Sequence, residues 1–243
     1  MNAVVLPTRK SEAYRYADLD AVAHLWPLAE PECVVIPENG KFARAIVQEA
    51  GGITQLSLDL GRNAVASIHV LNLGGDYGRI ELDVTLHEGA EFTLGGAQIG
   101  GDKQTLEIVT TVTHAEPNAT SRQLVRSVLG GQSTGTYLGK VAVARGAIGS
   151  DAEQSVRAML LDRTATANAK PELEIYADDV KCAHGCAIGE LDPQGLFYLE
   201  SRGLPPAEAK RLMLQAFIAE AFVGAEDEER LCGLALAKLE AML

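Results

Sequence analysis

The sequence predicts a mainly β protein, with a β core over residues 53–193 between a helical or irregular segment (1–52) and a helical segment (194–243). Three observations predict it. From about residue 53 to 180, short runs alternate apolar and polar residues with period two, the mark of half-buried strands. Each run stops at Gly, Asn or Asp, and no stretch of helical period interrupts them. After Pro205-Pro206 the period changes to that of an amphipathic helix. A sandwich, a barrel and a parallel β-helix would all satisfy such a core. Two features favour the β-helix. Strand starts recur every ~10–15 residues without Asn-Gly or Asp-Gly hairpin turns. Aromatic residues make up only 5% of the chain, which suits a narrow stacked interior.

In chain order, Lys41 to Ala50 reads as a short helix, with Phe42, Ala45, Ile46 and Glu49 at helical spacing and Gly51-Gly52 as its stop. The predicted strands then cover 67–73, 79–86, 91–94, 105–112, 123–129, 136–143 and 155–161. In the second of these Ile80, Leu82, Val84 and Leu86 share one face. Gly74-Gly75, Gly89, Gly100-Gly101, Gly130-Gly131 and Gly146 mark the turns. Beyond Pro206, Leu214, Phe217, Ile218, Ala221 and Phe222 form one apolar stripe that ends at Gly224. Glu226 to Glu229 place four carboxylates at the start of a last helix, where the macrodipole favours them. Its stripe is Cys232, Ala235, Leu236, Leu239 and Leu243.

The 21 Lys and Arg against 33 Asp and Glu leave a net charge of −12. That argues against nucleic acid and anionic membrane surfaces as partners. No long apolar run and no export signal are visible, and four cysteines without a small-domain pattern suit a reducing compartment, so a cytoplasmic protein is expected. Phosphate-loop, dinucleotide, nucleophile-elbow and zinc-protease motifs are all missing from the sequence.

Chemistry concentrates at Cys182-Ala183-His184-Gly185-Cys186, which holds two of the four cysteines and one of the five histidines. On a strand, residues two apart share a face, so all three side chains could converge on one ion. The plainer reading makes the cysteines small buried hydrophobes. If Leu173, Ile175 and Ala177 face the core, an unbroken register turns 182, 184 and 186 outward; a turn at Asp178-Asp179 would reset it. The spacing matches no closed zinc motif and leaves a coordination position open. His24, His69, His87 and His114 read as surface or structural histidines, and Cys33 and Cys232 as packing residues.

The run Pro171-Glu172-Leu173-Glu174-Ile175-Tyr176-Ala177-Asp178-Asp179-Val180-Lys181-Cys182-Ala183-His184-Gly185 resembles the SufB/SufD family of iron–sulfur cluster assembly scaffolds. Ile188-Gly189, Leu191-Asp192, Phe197 to Pro205, Asp151 to Gln154 and the step at Asp162 extend the likeness. Pro7 to Tyr16 is similar to the opening of the SufD branch. The resemblance implies a right-handed parallel β-helix and a non-catalytic subunit that pairs with a SufB-like chain, or with itself when alone. It also implies docking of a SufC-like ATPase through the C-terminal helices, with Phe197, Tyr198, Arg202 and Phe217 as partner-binding residues. No cofactor is expected to stay bound. A transient iron–sulfur cluster would form at the interface with His184 and Cys182 as donors, and Cys186 in reserve. Two departures stand out: the chain is short for the family, and position 186 is Cys where a small residue is usual. The alternative is a stand-alone metalloenzyme using Cys182, His184 and Cys186, with Asp178, Asp179 or Glu190 as base.

Overall fold

The computed structural model describes residues 6–243. Among them the chain forms a parallel β-helix flattened into two sheets of six strands each. One sheet holds β1 (Glu32–Ile36), β3 (Gly52–Leu60), β5 (Tyr77–Leu86), β7 (Thr105–His114), β9 (Thr134–Val143) and β11 (Thr166–Ile175). The other holds β2 (Lys41–Gln48), β4 (Val65–Asn72), β6 (Glu91–Gly100), β8 (Thr120–Leu129), β10 (Asp151–Leu160) and β12 (Lys181–Gly189). Consecutive strands therefore alternate between sheets, and every pairing is parallel. The coils lengthen along the axis. Lys41 lies beside Val65, 24 residues on, whereas Thr120 lies beside Asp151, 31 residues on.

In-register stacking turns the period-two pattern into columns. Leu58, Val84, Val112 and Val141 form one inward column, and Ala66 and Phe92 begin another from the facing sheet. Ile80, Leu82, Val84 and Leu86 are buried together as their alternation predicts. The corners repeat as well. Asn39, Asn63, Gly89, Asn118, Gly149 and Asp179 all have positive φ. From Asn39 to Gly149, each donates its backbone N–H to a carbonyl of the next coil at 2.8–3.1 Å. Asn, Asp and Gly tolerate that conformation, which is why these residue types end the runs.

The structure corrects the helix expected over 41–50, which is strand β2. Phe42, Ala45 and Ile46 fit helical spacing by coincidence. Phe42, Arg44, Ile46 and Gln48 also alternate, and they align with Ala66, Ile68, Val70 and Asn72 of β4. A ten-residue helix is marginal alone, whereas a neighbouring strand offers a ready template. Strands thus begin at Glu32, and among the described residues the helical structure before them is a 3-10 turn at Glu12–Tyr14 and helix α1 (Leu19–Leu25), capped by Asp18. Cys33 is exposed on β1 and is not a packing residue. Strand β6 runs past Leu94 through Gly95-Gly96 to Gly100. A Cβ on Gly95 would lie 1.9 Å from the Ala221 carbonyl oxygen, so the glycine lets the C-terminal segment touch the sheet.

That segment comprises α2 (Pro193–Ser201), α3 (Pro206–Ala219) and α4 (Glu228–Met242). Leu214, Ile218, Ala221 and Phe222 pack on Leu71, Ala97, Ile99 and Val128, on the outer face of the even-numbered sheet. On α4 the buried stripe is Leu231, Ala235 and Leu239, with Cys232 at its margin and Leu243 exposed. Arg126, buried on the same face, pairs with Glu220 at 2.8 Å and ties the helices down. The N-terminal segment covers the opposite face. There Arg79, fully buried, pairs with buried Glu107 at 2.8 Å and with Glu81. It also donates to the Ala13 carbonyl at 2.7 Å and lies 4.3 Å from the Tyr14 ring.

Inside the coil, Gln48, Asn72 and Gln98 stack in one column and donate to the Gly52, Gly78 and Thr136 carbonyls at 2.7–3.1 Å. His114 faces the same interior, with Nε2 2.8 Å from Ser121 Oγ. Burial lowers its pKa to about 4. The neutral ring is thus favoured in the folded state, so its stabilisation is complete above pH ~6.5 and is lost as pH falls through about 4. Urea titrations across this window are expected to show a drop on the order of 2–3 kcal/mol that His114→Gln removes. A slope unchanged in the variant would assign the acid sensitivity elsewhere.

Candidate functional site

Strand β12 carries Cys182, His184 and Cys186. Asp179, in a left-handed conformation (φ 51), turns the chain after β11 and starts the strand in the other sheet. The turn resets the register. Cys182, His184 and Cys186 lie beside Ala152, Gln154 and Val156 of β10, all three of which are buried interior positions. The motif therefore continues the inward columns, on the face that an unbroken strand would have denied it. No described strand covers β12, so His184 and Cys186 are exposed and Cys182 is half-buried. Both end strands of this coil, β11 and β12, leave one edge of backbone N–H and C=O groups unpaired among the described residues.

The two ends of the β-helix differ. At the first coil, Glu32 and Arg44 occupy inward columns of opposite sheets and form an ion pair at 2.6 Å. Inward-pointing charge on an edge strand discourages strand addition. At the last coil the same two columns end on Pro171 and His184 without an ion pair, and Ile175, Tyr176 and Ile188 are exposed.

The donor types suit iron or zinc. Convergence of all three on one ion, the arrangement a stand-alone metalloenzyme needs, is not realised. Among the described residues no three His, Cys, Asp or Glu side chains group closely enough to hold a metal. Same-face positions on a strand are roughly 6.6 Å apart, whereas donors on one ion sit within about 2.0–2.3 Å of it. Burial pushes the Cys182 thiol up, against a backbone hydrogen bond at Ala152 that lowers it, and burial pushes Cys186 up as well. The thiol form is thus held until a metal displaces its proton. As a complete metal centre the residues do not fit.

Beneath the motif the interior turns polar. Going towards the open end, one column changes from Ile68 and Leu94 to Gln123, Gln154 and His184. The Tyr137 hydroxyl from the facing sheet meets this column. It donates to Gln123 Oε1 and accepts from Gln154 Nε2, both at 3.2 Å, and Thr110 donates to Gln123 Oε1 at 2.9 Å. Burial pushes the Tyr137 hydroxyl up to about 12, so it stays protonated. Sequence reading missed this cluster because two glutamines a coil apart look like ordinary solvent-facing residues. Only the inward parity of their strands could have flagged them.

Of the residues expected to bind partners, Phe197 and Tyr198 are 73% and 57% exposed on α2. Arg202 stacks 5.3 Å from the Tyr198 ring. Phe217 is half-buried against the helix–sheet core, 5.8 Å from Arg126, and so serves this chain's own packing. Leu212 and Val223 extend the exposed apolar surface of the helices. His87 bridges Asp59 (2.9 Å) and Glu116 (3.4 Å) on the surface, and His69 is buried.

Residues 35–217 match the family model described as the SufBD core domain of SUF-system FeS cluster assembly. The chain belongs to the SufB/SufD family. Its sequence is 31% identical over 170 residues to the iron-sulfur cluster assembly protein SufD of Escherichia coli, covering 70% of this chain and 40% of that protein. It is 36% identical over 198 residues to the chloroplastic protein ABCI7 of Arabidopsis thaliana, covering 77% and 41%. To SufD of Bacillus subtilis it is 33% identical over 121 residues, covering 50% and 28%. The chain is SufD-like, and it matches less than half the length of these SufB/SufD relatives. The matched region runs from Val35 in β1 through the rest of the β-helix and therefore includes β12 with Cys182, His184 and Cys186.

Proposed function

We propose that this chain is a SufD-like scaffold subunit of an iron–sulfur cluster assembly complex, working in the cytoplasm without a catalytic site of its own. Its open coil end pairs with a SufB-like subunit, and its C-terminal helices dock a SufC-like ATPase through Phe197, Tyr198 and Arg202. The observation that carries this reading is the position of His184. It sits on an unpaired edge strand, next to two thiols, in a donor set that one chain leaves incomplete. The nascent cluster is cargo. His184 offers an imidazole nitrogen and Cys182 a thiol that ionises on binding iron, and the remaining donors come from the partner. The unpaired edges supply the backbone groups for strand addition, and the ion pair at the first coil directs that addition to the last. The −12 charge is consistent with protein and not nucleic-acid partners.

Co-expression with a SufB-like and a SufC-like chain tests the proposal. A complex of all three should co-elute in size-exclusion chromatography. Replacing Ile188 of β12 by proline, which removes an N–H from the unpaired edge, should release the SufB-like subunit while leaving the α-helical segment and the ATPase contact in place. Elution of this chain by itself at every salt concentration would sink the reading.

A further inference from the structure

We propose that Gln154 is the positioning residue for His184. This inference rests on His184 being the donor that this chain contributes. Gln154 lies directly beside His184 in the same inward column, on the strand next to β12. Adjacent strands are ~4.8 Å apart, so the two side chains leave neighbouring points on one face. Gln154 is 1% exposed. Its amide is oriented by a chain of hydrogen bonds: the Tyr137 hydroxyl donates to Gln123 Oε1 and its oxygen accepts from Gln154 Nε2, while Thr110, whose hydroxyl oxygen lies 3.1 Å from that of Tyr137, also donates to Gln123 Oε1. Gln154 Oε1 is then left buried without a donor. A buried acceptor with no partner is costly in a native interior and points to a donor supplied in the working state.

The imidazole of His184 is the donor placed to supply it. Rotation about its own side-chain torsions brings one ring N–H over the Gln154 carbonyl oxygen. The other ring nitrogen then carries the lone pair and faces the open end, where a cluster iron would be met. Metal-binding histidines are held this way by an acceptor on the far ring nitrogen, which fixes both tautomer and orientation. Tyr137, Gln123 and Thr110 act one step further back, by fixing which end of the Gln154 amide faces β12.

The test reads the His184 ring directly, in the full chain with isotope-labelled histidine, assigned by loss of its signals in His184→Gln. The ring nitrogens should report one tautomer shifted about fivefold from the ratio of a solvent-exposed histidine, the population ratio of one net hydrogen bond. Gln154→Met, nearly isosteric and without the acceptor, should return the ring to the solvent ratio. Gln98→Met disturbs a buried amide in another column, outside this hydrogen-bond chain, and should lower stability while leaving the tautomer shifted. A wild-type ring already at the solvent ratio overturns the proposal, as does an equal response to both substitutions. The donor reading fails separately, if His184→Ala leaves cluster assembly in the complex intact while the tautomer still follows Gln154.

Discussion

Replacing His184 with alanine is expected to lower cluster assembly by the three-subunit complex at least 10- to 100-fold, the loss typical of a disturbed metal shell. The same change should move the folding stability of this chain by no more than about 1 kcal/mol, the net hydrogen bond to Gln154, because the ring is otherwise exposed at the end of the β-helix. The two effects separate because they belong to different surfaces. Assembly depends on a nitrogen lone pair presented at the open end, whereas folding depends on columns that finish one strand earlier. Assembly would be followed by the absorbance of the forming cluster under anaerobic conditions, and stability by urea unfolding of the isolated chain. Equal proportional losses in both would make His184 a structural histidine. Cys186→Ala should leave assembly within about twofold if that thiol is incidental.

The largest effect on stability is expected at the opposite face. Glu107→Ala should cost ~3–5 kcal/mol, because it strands the buried guanidinium of Arg79. Arg79 and Glu107 are both fully buried at 2.8 Å, and the Tyr77 hydroxyl donates to the same carboxylate oxygen at 2.6 Å. Burial alone would lower the Arg79 pKa; Glu107 and then Glu81 outweigh it and raise it. A guanidinium is effectively always protonated, so it remains charged when Glu107 is lost. The remaining acceptors are Glu81, at the edge of the cluster, and the Ala13 carbonyl of the N-terminal segment. The loss should therefore appear first as release of that segment, read as protease cleavage before Glu32, and then as a lower urea midpoint. The double variant Arg79→Met with Glu107→Gln removes both charges and keeps an acceptor for Tyr77. It should recover most of the loss, as buried ion pairs replaced together often do. A single Glu107→Ala within 1 kcal/mol of the parent would show that water reaches the pair.

Much of the core was legible because its information is local. Alternation at Ile80, Leu82, Val84 and Leu86 and the Gly or Asn at each corner encode strand and turn within a few residues. Where reading failed, a distant contact decided. The helical spacing of Phe42, Ala45 and Ile46 was overruled by pairing with β4. Gly95 looked like a strand end until the Ala221 carbonyl, 126 residues later, was found against it. On α4, Leu231 joined the buried stripe because helix α3 and the sheet set the rotation of the helix.

By itself the sequence pattern determined a mainly β core, with the family resemblance pointing to a β-helix, the C-terminal helices and the residues Cys182, His184 and Cys186 as the place where soft-metal chemistry gathers. Only the tertiary structure decided what that motif faces. The turn at Asp179 switches sheets and moves three side chains from the solvent side to the end of the interior columns. A one-residue change in parity inverts every side chain of a strand, and sequence periodicity cannot carry phase across a turn. The stack of coils then fixes the rest. It places Gln154 under His184, closes the first coil with Glu32 and Arg44, and leaves the last coil open, because each of those relations joins residues a full coil or more apart.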